Sequence, residues 1–473
     1  MERFDDGNDN EEIVEPVSPT GQYLTSSSLS VYILGVLETQ VPIDDDSQTV
    51  PLLQNLFLPI NSRFSSIMIR DKDGEKKWKK VEVKLEDHIK VPTFPNGKSS
   101  NFLYDEHLED YMSKIALEHL PQHRPLWELH IIKYPSSNAA GTLVFKLHHA
   151  LGDGFSLMGA LLSCMQRADN TSLPFTLPST QKPKSIYNNT DEIFKRLPSL
   201  VSLAFRTMSD FGWSLLKSSL VEDDQTPIRS CADDGKLRQM VISNVTFSLD
   251  QIKEVKAKLG VSINDVLAGV IFFGIRLYMQ EINLKSSKTQ STALVLLNTR
   301  NIEGYKSVKE MLERSNSRAA WGNQYAFLHV PIPELSDSKY SNPLDFVWEA
   351  HKEMNKKKNS LATYLTGMLL DTLRKLRGHE AAAKYLHSTL RNSSTTISNI
   401  IGPVEQMAVA NLPIKGFYFM VAGSPESLTI TIMSYMGEIR IAFGVEKDFI
   451  DKQLFKSCLE NSLEMIMEAA RNI

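Results

Sequence analysis

Apolar and polar positions alternate in two rhythms along this chain. LSVYILGVLE (29–38) is a near-continuous apolar run and predicts a buried strand, and WELHIIKY (127–134) and GTLVFKLHHAL (141–151) read as strands as well. Between them, NFLYDEHLEDYMSKIALEHL (101–120) carries apolar residues at helical spacing. Directly after the third strand, Phe155, Met158, Leu161, Leu162 and Met165 form one helical stripe, so the unit is strand, tight turn, helix. Ser, Thr, Pro and Asn dominate 167–192, which predicts a connecting loop, and a second loose stretch covers 221–237. The period resumes with a strand and helix over 241–260, stopped by Gly260, and with 262–282, apolar nearly all round and hence a buried helix. STALVLLNTR, YAFLHVPIP, TTISNI and the pair SLTITIMSYM/EIRIAFGVE, joined around Gly437, predict strands, and 458–472 a closing helix.

The predicted fold class is therefore α+β, in two domains. Residues 20–166 form the first and 238–473 the second, with a crossover over 167–237 and a disordered acidic tail over 1–19. A length of 473 residues supports the division, since one core rarely grows that far. A net charge of −4 offers no basic excess to offset phosphates, which argues against nucleic acid as a partner. Cys164, Cys231 and Cys458 are odd in number, far apart and without zinc spacing, which points to a reducing compartment.

Among only 11 histidines, two stand side by side in KLHHALGDGFSL (146–157). Strand alternation puts His148 on the face of Val144 and Lys146, and His149 on the face of Phe145 and Leu147. Neighbours that point apart make a poor metal site, so zinc is not expected. A histidine at a strand end, beside apolar side chains, suits general-base catalysis because its pKa lies near neutrality. Gly152 and Gly154 permit a tight turn. Asp153 has two readings: N-cap of the following helix, or partner of an arginine that holds the turn, for which Arg300 is available. The alternative for the histidines is a satisfied core residue beside a capped helix.

HHALGDG (148–154) resembles the HHxxxDG motif of the wax ester synthase/diacylglycerol acyltransferase family, a branch of the CoA-dependent acyltransferases. Supporting blocks follow in order: RPLWE (124–128), SINDVLAG (262–269), LLNTR (296–300), WGNQ (321–324) and SNIIGP (398–403). The resemblance runs from about 25 to the C-terminus, is weakest in the crossover, and is nearest to the plant-type branch. It implies two chloramphenicol-acetyltransferase-like α/β sandwich domains facing each other across a substrate tunnel. It also implies that His149 takes the proton of an alcohol, that His148 supports it, and that Asn264, or else Ser398 or Asn399, stabilises the oxyanion. Asn264 and Asp265 have a structural reading too, in the first turn of a helix that Ser262 can cap. Acyl-CoA is implied as substrate, with no permanently bound cofactor. No phosphate-binding GxxxxGK[ST], dinucleotide GxGxxG or GxSxG elbow occurs.

In the crossover, 194–220 carries Leu197, Leu200, Val201, Ala204, Met208, Phe211 and Leu215 as one stripe. Arg206 and Asp210 count against a membrane span. Two readings stay open: a helix lying in the membrane interface, with Lys195 and Arg196 at the headgroups and Trp213 at the boundary, or an ordinary amphipathic helix packed on one domain. Membrane access, together with the resemblance, points to the cytosolic face of the endoplasmic reticulum, with the plasma membrane second. The expected function is esterification of long-chain fatty alcohols, with diacylglycerol as a further acceptor. A small soluble acceptor and a silent lipid- or acyl-CoA-binding protein are the alternatives.

Overall fold

The computed structural model describes residues 13–71, 75–95, 103–176, 193–230, 238–300, 321–335, 342–358 and 360–473. Two mixed sheets organise them. The seven-stranded sheet runs Ile89–Lys90, Trp127–Ile132, Gly141–His148, Tyr32–Thr39, Leu412–Ala422, Met407–Val409, Gln166–Arg167. At its centre Tyr32–Thr39 and Gly141–His148 pair antiparallel, from Tyr32 opposite His148 to Thr39 opposite Gly141. All eight residues of each strand are buried, which explains their near-continuous apolar runs. A six-stranded sheet runs Tyr325–Pro331, Thr292–Asn298, Thr395–Ile401, Leu428–Tyr435, Glu438–Glu446, Met240–Ser248.

Sequence halves and sheets do not coincide. Leu412–Ala422, which carries no sequence prediction, leaves the C-terminal part and pairs with Tyr32–Thr39. Its core, GFYFMVA, is apolar on both faces and needs cover on both, which a central place in the first sheet supplies. Gly423 lets the chain leave: its φ is +84°, and a Cβ there would stand 2.0 Å from the Ser30 carbonyl oxygen. The expected domain 238–473 is therefore not a closed unit; it lends strands to its neighbour.

The expected tail also needs correction. Residues 1–12 lie outside the described residues, but Ile13–Pro16 forms a strand on Lys76–Lys80. Val17 is buried and Glu15 pairs with Arg63. Val17 and the Glu15–Arg63 pair dock this short segment.

Helix Ile263–Ile282 begins with a capping box in which Ser262 and Asp265 satisfy each other's amides. By length and composition it could cross a membrane, yet 78% of its apolar window is buried. Val347 and Leu459 approach its Gly269 and Gly274 too closely for any Cβ, so it is the core helix of the second half. Helices Leu344–Lys358, Ala362–Arg377 and His379–Arg391 occupy a stretch without a predicted element.

The crossover helix runs Ile193–Ser219, with side chains described from Arg206 onward. Its polarity is turned over. Thr207, Asp210, Ser214, Lys217 and Ser218 are buried, whereas Met208 is 74% exposed and Trp213, Leu215 and Leu216 face outward with Leu220 just beyond. Ion pairs stabilise the buried polar side: Lys217 with Asp223, and Lys357 with Asp210 at 3.2 Å. From Arg206 onward, it is the polar side that packs this helix onto the protein.

Candidate active site

His148 and His149 end the central strand of the first sheet, and Gly154 opens the helix Gly154–Ser163. Gly154 has a packing reason as well: a Cβ would meet Ile400 of the SNIIGP block at 2.5 Å. The turn therefore sits where the two halves touch.

The two histidines hold opposite tautomers. At His149, the Asn323 side-chain Nδ2 donates to the backbone carbonyl of His149 at 2.9 Å, while Asn323 Oδ1 lies 2.7 Å from His149 Nδ1. A carbonyl can only accept, so the amide orientation is fixed and Nδ1 must be the donor. Nε2 then carries the lone pair. At His148, Nδ1 accepts the Ala150 amide at 3.1 Å, which puts the proton on Nε2, 3.3 Å from Ser30 Oγ. Burial, and then His149 beside it, push the His148 pKa down to about 3. Burial also holds His149 below its ordinary value, against the opposing pull of the Asp153 carboxylate and the Asn323 hydrogen bond. Both rings are neutral near pH 7.

Asp153 fulfils both of its readings at once. Its Oδ1 caps the helix by accepting the Ser156 amide at 3.0 Å. Arg300 holds the same carboxylate with two bonds, at 2.6 and 3.0 Å, and the Gln324 amide adds a third donor at 2.9 Å. Arg300 also donates to the Gly322 carbonyl at 2.6 Å and to Ser156 Oγ at 3.1 Å. Trp321 Nε1 reaches the Leu151 carbonyl at 2.8 Å. The LLNTR and WGNQ blocks thus clamp the histidine turn from the other half.

Around His149 opens a largely apolar pocket of about 480 Å³, lined by Val31, Leu296, Tyr325, Phe327, Leu386 and Ser398 among others. Tyr325 packs edge-on to the imidazole at 5.6 Å. Asn264 is not part of this lining. It is exposed and accepts a bond from Asn399, also exposed, at 2.8 Å. Its neighbour Asp265 serves the capping box and bonds His351 at 2.8 Å. The oxyanion assignment to Asn264 or Asn399 therefore gains no support from this geometry, because the helix start and strand face that carry them turn to solvent; of the three candidates only Ser398 faces the pocket. Asn323 and Tyr325 are contributors that the sequence reading missed. Asn323 stood inside the WGNQ block, but its distance of 174 residues from His149 left no local signal. No group of three His, Cys, Asp or Glu that could hold a metal gathers among the described residues.

This is the architecture of an acyltransferase built from two linked halves. A solved wax ester synthase/diacylglycerol acyltransferase from Marinobacter aquaeolei VT8 shares the fold with a TM-score of 0.59, at 16% identity, over 96% of this chain and 100% of that one. The starter condensation domain of rhizomide synthetase RzmA, solved with C8-CoA and Leu-SNAC, shares it with a TM-score of 0.52, at 10% identity, over 93% and 89% of the two chains. The chain belongs to the wax ester synthase/diacylglycerol acyltransferase family, whose catalytic domain matches residues 72–267 and whose C-terminal domain matches 321–467. Wax ester synthase/diacylglycerol acyltransferase 4 of Arabidopsis thaliana is 29% identical over 486 aligned positions, 98% of this chain and 91% of the relative. The family's chemistry, acyl-CoA-dependent O-acyl transfer, is this chain's activity.

Proposed function

We propose that the chain esterifies long-chain fatty alcohols with acyl-CoA, and diacylglycerol as a further acceptor, using His149 as the general base. The observation that carries this reading is the His149 tautomer: a neutral ring, held at Nδ1 by Asn323, with the Nε2 lone pair left for the pocket. The alcohol proton moves to Nε2 and the oxygen attacks the thioester carbonyl. The tetrahedral intermediate collapses by breaking the carbon–sulfur bond, and the departing thiolate takes the proton back as coenzyme A. No acyl-enzyme is needed. Ser398, one of the hydroxyl side chains that line the pocket, supplies a donor for the oxyanion. Asp153 and Arg300 position the turn, and His148 supports it from the opposite face.

The two halves are read as chloramphenicol-acetyltransferase-like sandwiches with the substrates meeting in a tunnel between them. The apolar character of the His149 pocket favours long chains over a small soluble acceptor. The outward Met208, Trp213, Leu215 and Leu216 favour the interfacial reading of the crossover helix, on the cytosolic face of the endoplasmic reticulum. The test supplies purified protein with palmitoyl-CoA and, separately, hexadecanol, diacylglycerol or ethanol. Hexadecyl palmitate as the main product is expected. Preferred ethyl ester would mean a small acceptor, and acyl-CoA binding without any ester would mean a silent binding protein.

A further inference from the structure

A second hollow lies beneath the crossover helix, lined by Asp210, Ser214, Phe327, His329, Lys357 and Thr366 among others. The Phe327 ring is shared with the His149 pocket. Tyr325, Phe327 and His329 occupy every second position of one regular strand and so share a face. From Tyr325, which packs on His149, the step to His329 spans roughly 13 Å, the length of an alkyl chain of about ten carbons.

Two buried polar atoms in this hollow have no hydrogen-bond partner among the described residues: His329 Nε2 and Asp210 Oδ2. Their companions are satisfied, with Ser214 Oγ 3.2 Å from His329 Nδ1 and Lys357 Nζ donating to Asp210 Oδ1 at 3.2 Å. Burial, followed by the nearby Lys357 and Lys217, lowers the His329 pKa to about 4, so the ring is neutral. The Ser214 hydroxyl and Nδ1 share one hydrogen bond, which leaves Nε2 for a further partner. A carboxylate oxygen and an imidazole nitrogen without partners among the described residues thus line the same hollow, and a hydroxyl group, which both donates and accepts, can serve either.

We propose that this hollow is a subsite for a second hydroxyl, carried by a long alkyl chain about ten carbons from its reacting end. The proposal rests on the reading of His149 as the reacting centre. Either substrate can bring such a chain, so the test has two arms. In the first, kcat/KM for decane-1,10-diol is compared with that for 1-undecanol, nearly its equal in size, using palmitoyl-CoA. In the second, 10-hydroxydecanoyl-CoA is compared with undecanoyl-CoA, using hexadecanol. A preference of about tenfold in one arm is expected, beyond the statistical advantage of a diol's two ends. Across a series of diols, or of ω-hydroxyacyl donors, the preference should peak near this length. Asp210→Asn and His329→Leu should each bring the ratio close to one; if a variant does not fold, the chain-length peak of the native protein still decides. No preference in either arm would mean a water-filled hollow and would overturn the subsite alone. If 1-undecanol and hexadecanol give no ester at all, the acceptor reading and the subsite fall together.

Discussion

The turn 148–156 and the crossover helix both send polar side chains into the protein, yet they do so in opposite ways. In the turn, three polar side chains are paired across the two halves: His149 with Asn323, Asp153 with Arg300 and Gln324, Ser156 with Gly322. Under the helix, Asp210 and His329 each keep one buried atom without a partner among the described residues, while Met208 and Leu216 face outward. Pairing across the halves fixes one geometry and leaves His149 Nε2 for the substrate, as proton transfer requires. Incomplete pairing under an apolar exterior leaves room for a ligand and a surface for lipid.

Removing Arg300 should break this contrast most severely. Asp153 and Arg300 are both almost fully buried, so Arg300→Met leaves the carboxylate its backbone donors but no cation, and should cost about 3–5 kcal/mol of stability, measurable by urea unfolding. A loss below about 1 kcal/mol would show that the clamp is dispensable. Asn323→Ala spares the clamp but frees the imidazole, and should lower kcat about ten- to a hundredfold with little change in stability.

pH sharpens the same point. The neutral ring is the active form and burial lowers its pKa, so activity should be level at pH 7 and fall only below the ordinary histidine value of 6.5. The Asn323 bond raises that pKa, so in Asn323→Ala the acid limb of kcat/KM should move to lower pH. An unmoved limb would separate Asn323 from the titrating group. On the helix, Met208→Ser and Leu216→Ser should each change stability by no more than about 0.5 kcal/mol, because those side chains already face outward. The same changes should weaken co-sedimentation with phosphatidylcholine–phosphatidylserine vesicles. A loss of about 2 kcal/mol or more would instead mark a packed face.

Local rules made much of the turn legible. Strand alternation assigned the two histidines to opposite faces, and the Asp-Gly step announced both a cap and an ion partner. Long-range pairing was not legible. GFYFMVA carried no prediction, and nothing local names its sheet, because its partner Tyr32–Thr39 lies far away in sequence. The role of Asn264 was not legible for a related reason: a polar residue in a helix's first turn looks the same whether it faces a pocket or solvent. Periodicity reads the crossover stripe as amphipathic, but which side meets the protein from Arg206 onward depends on the ion partners Asp223 and Lys357, which periodicity does not reveal.

The most direct test of the account is ester synthesis from palmitoyl-CoA and hexadecanol by the native chain and by His149→Ala, with palmitoyl-CoA binding measured on both. A loss of about a hundredfold or more in kcat, with binding retained, is the predicted result. A variant that binds and still makes ester at the native rate would contradict the assignment of His149 as the base.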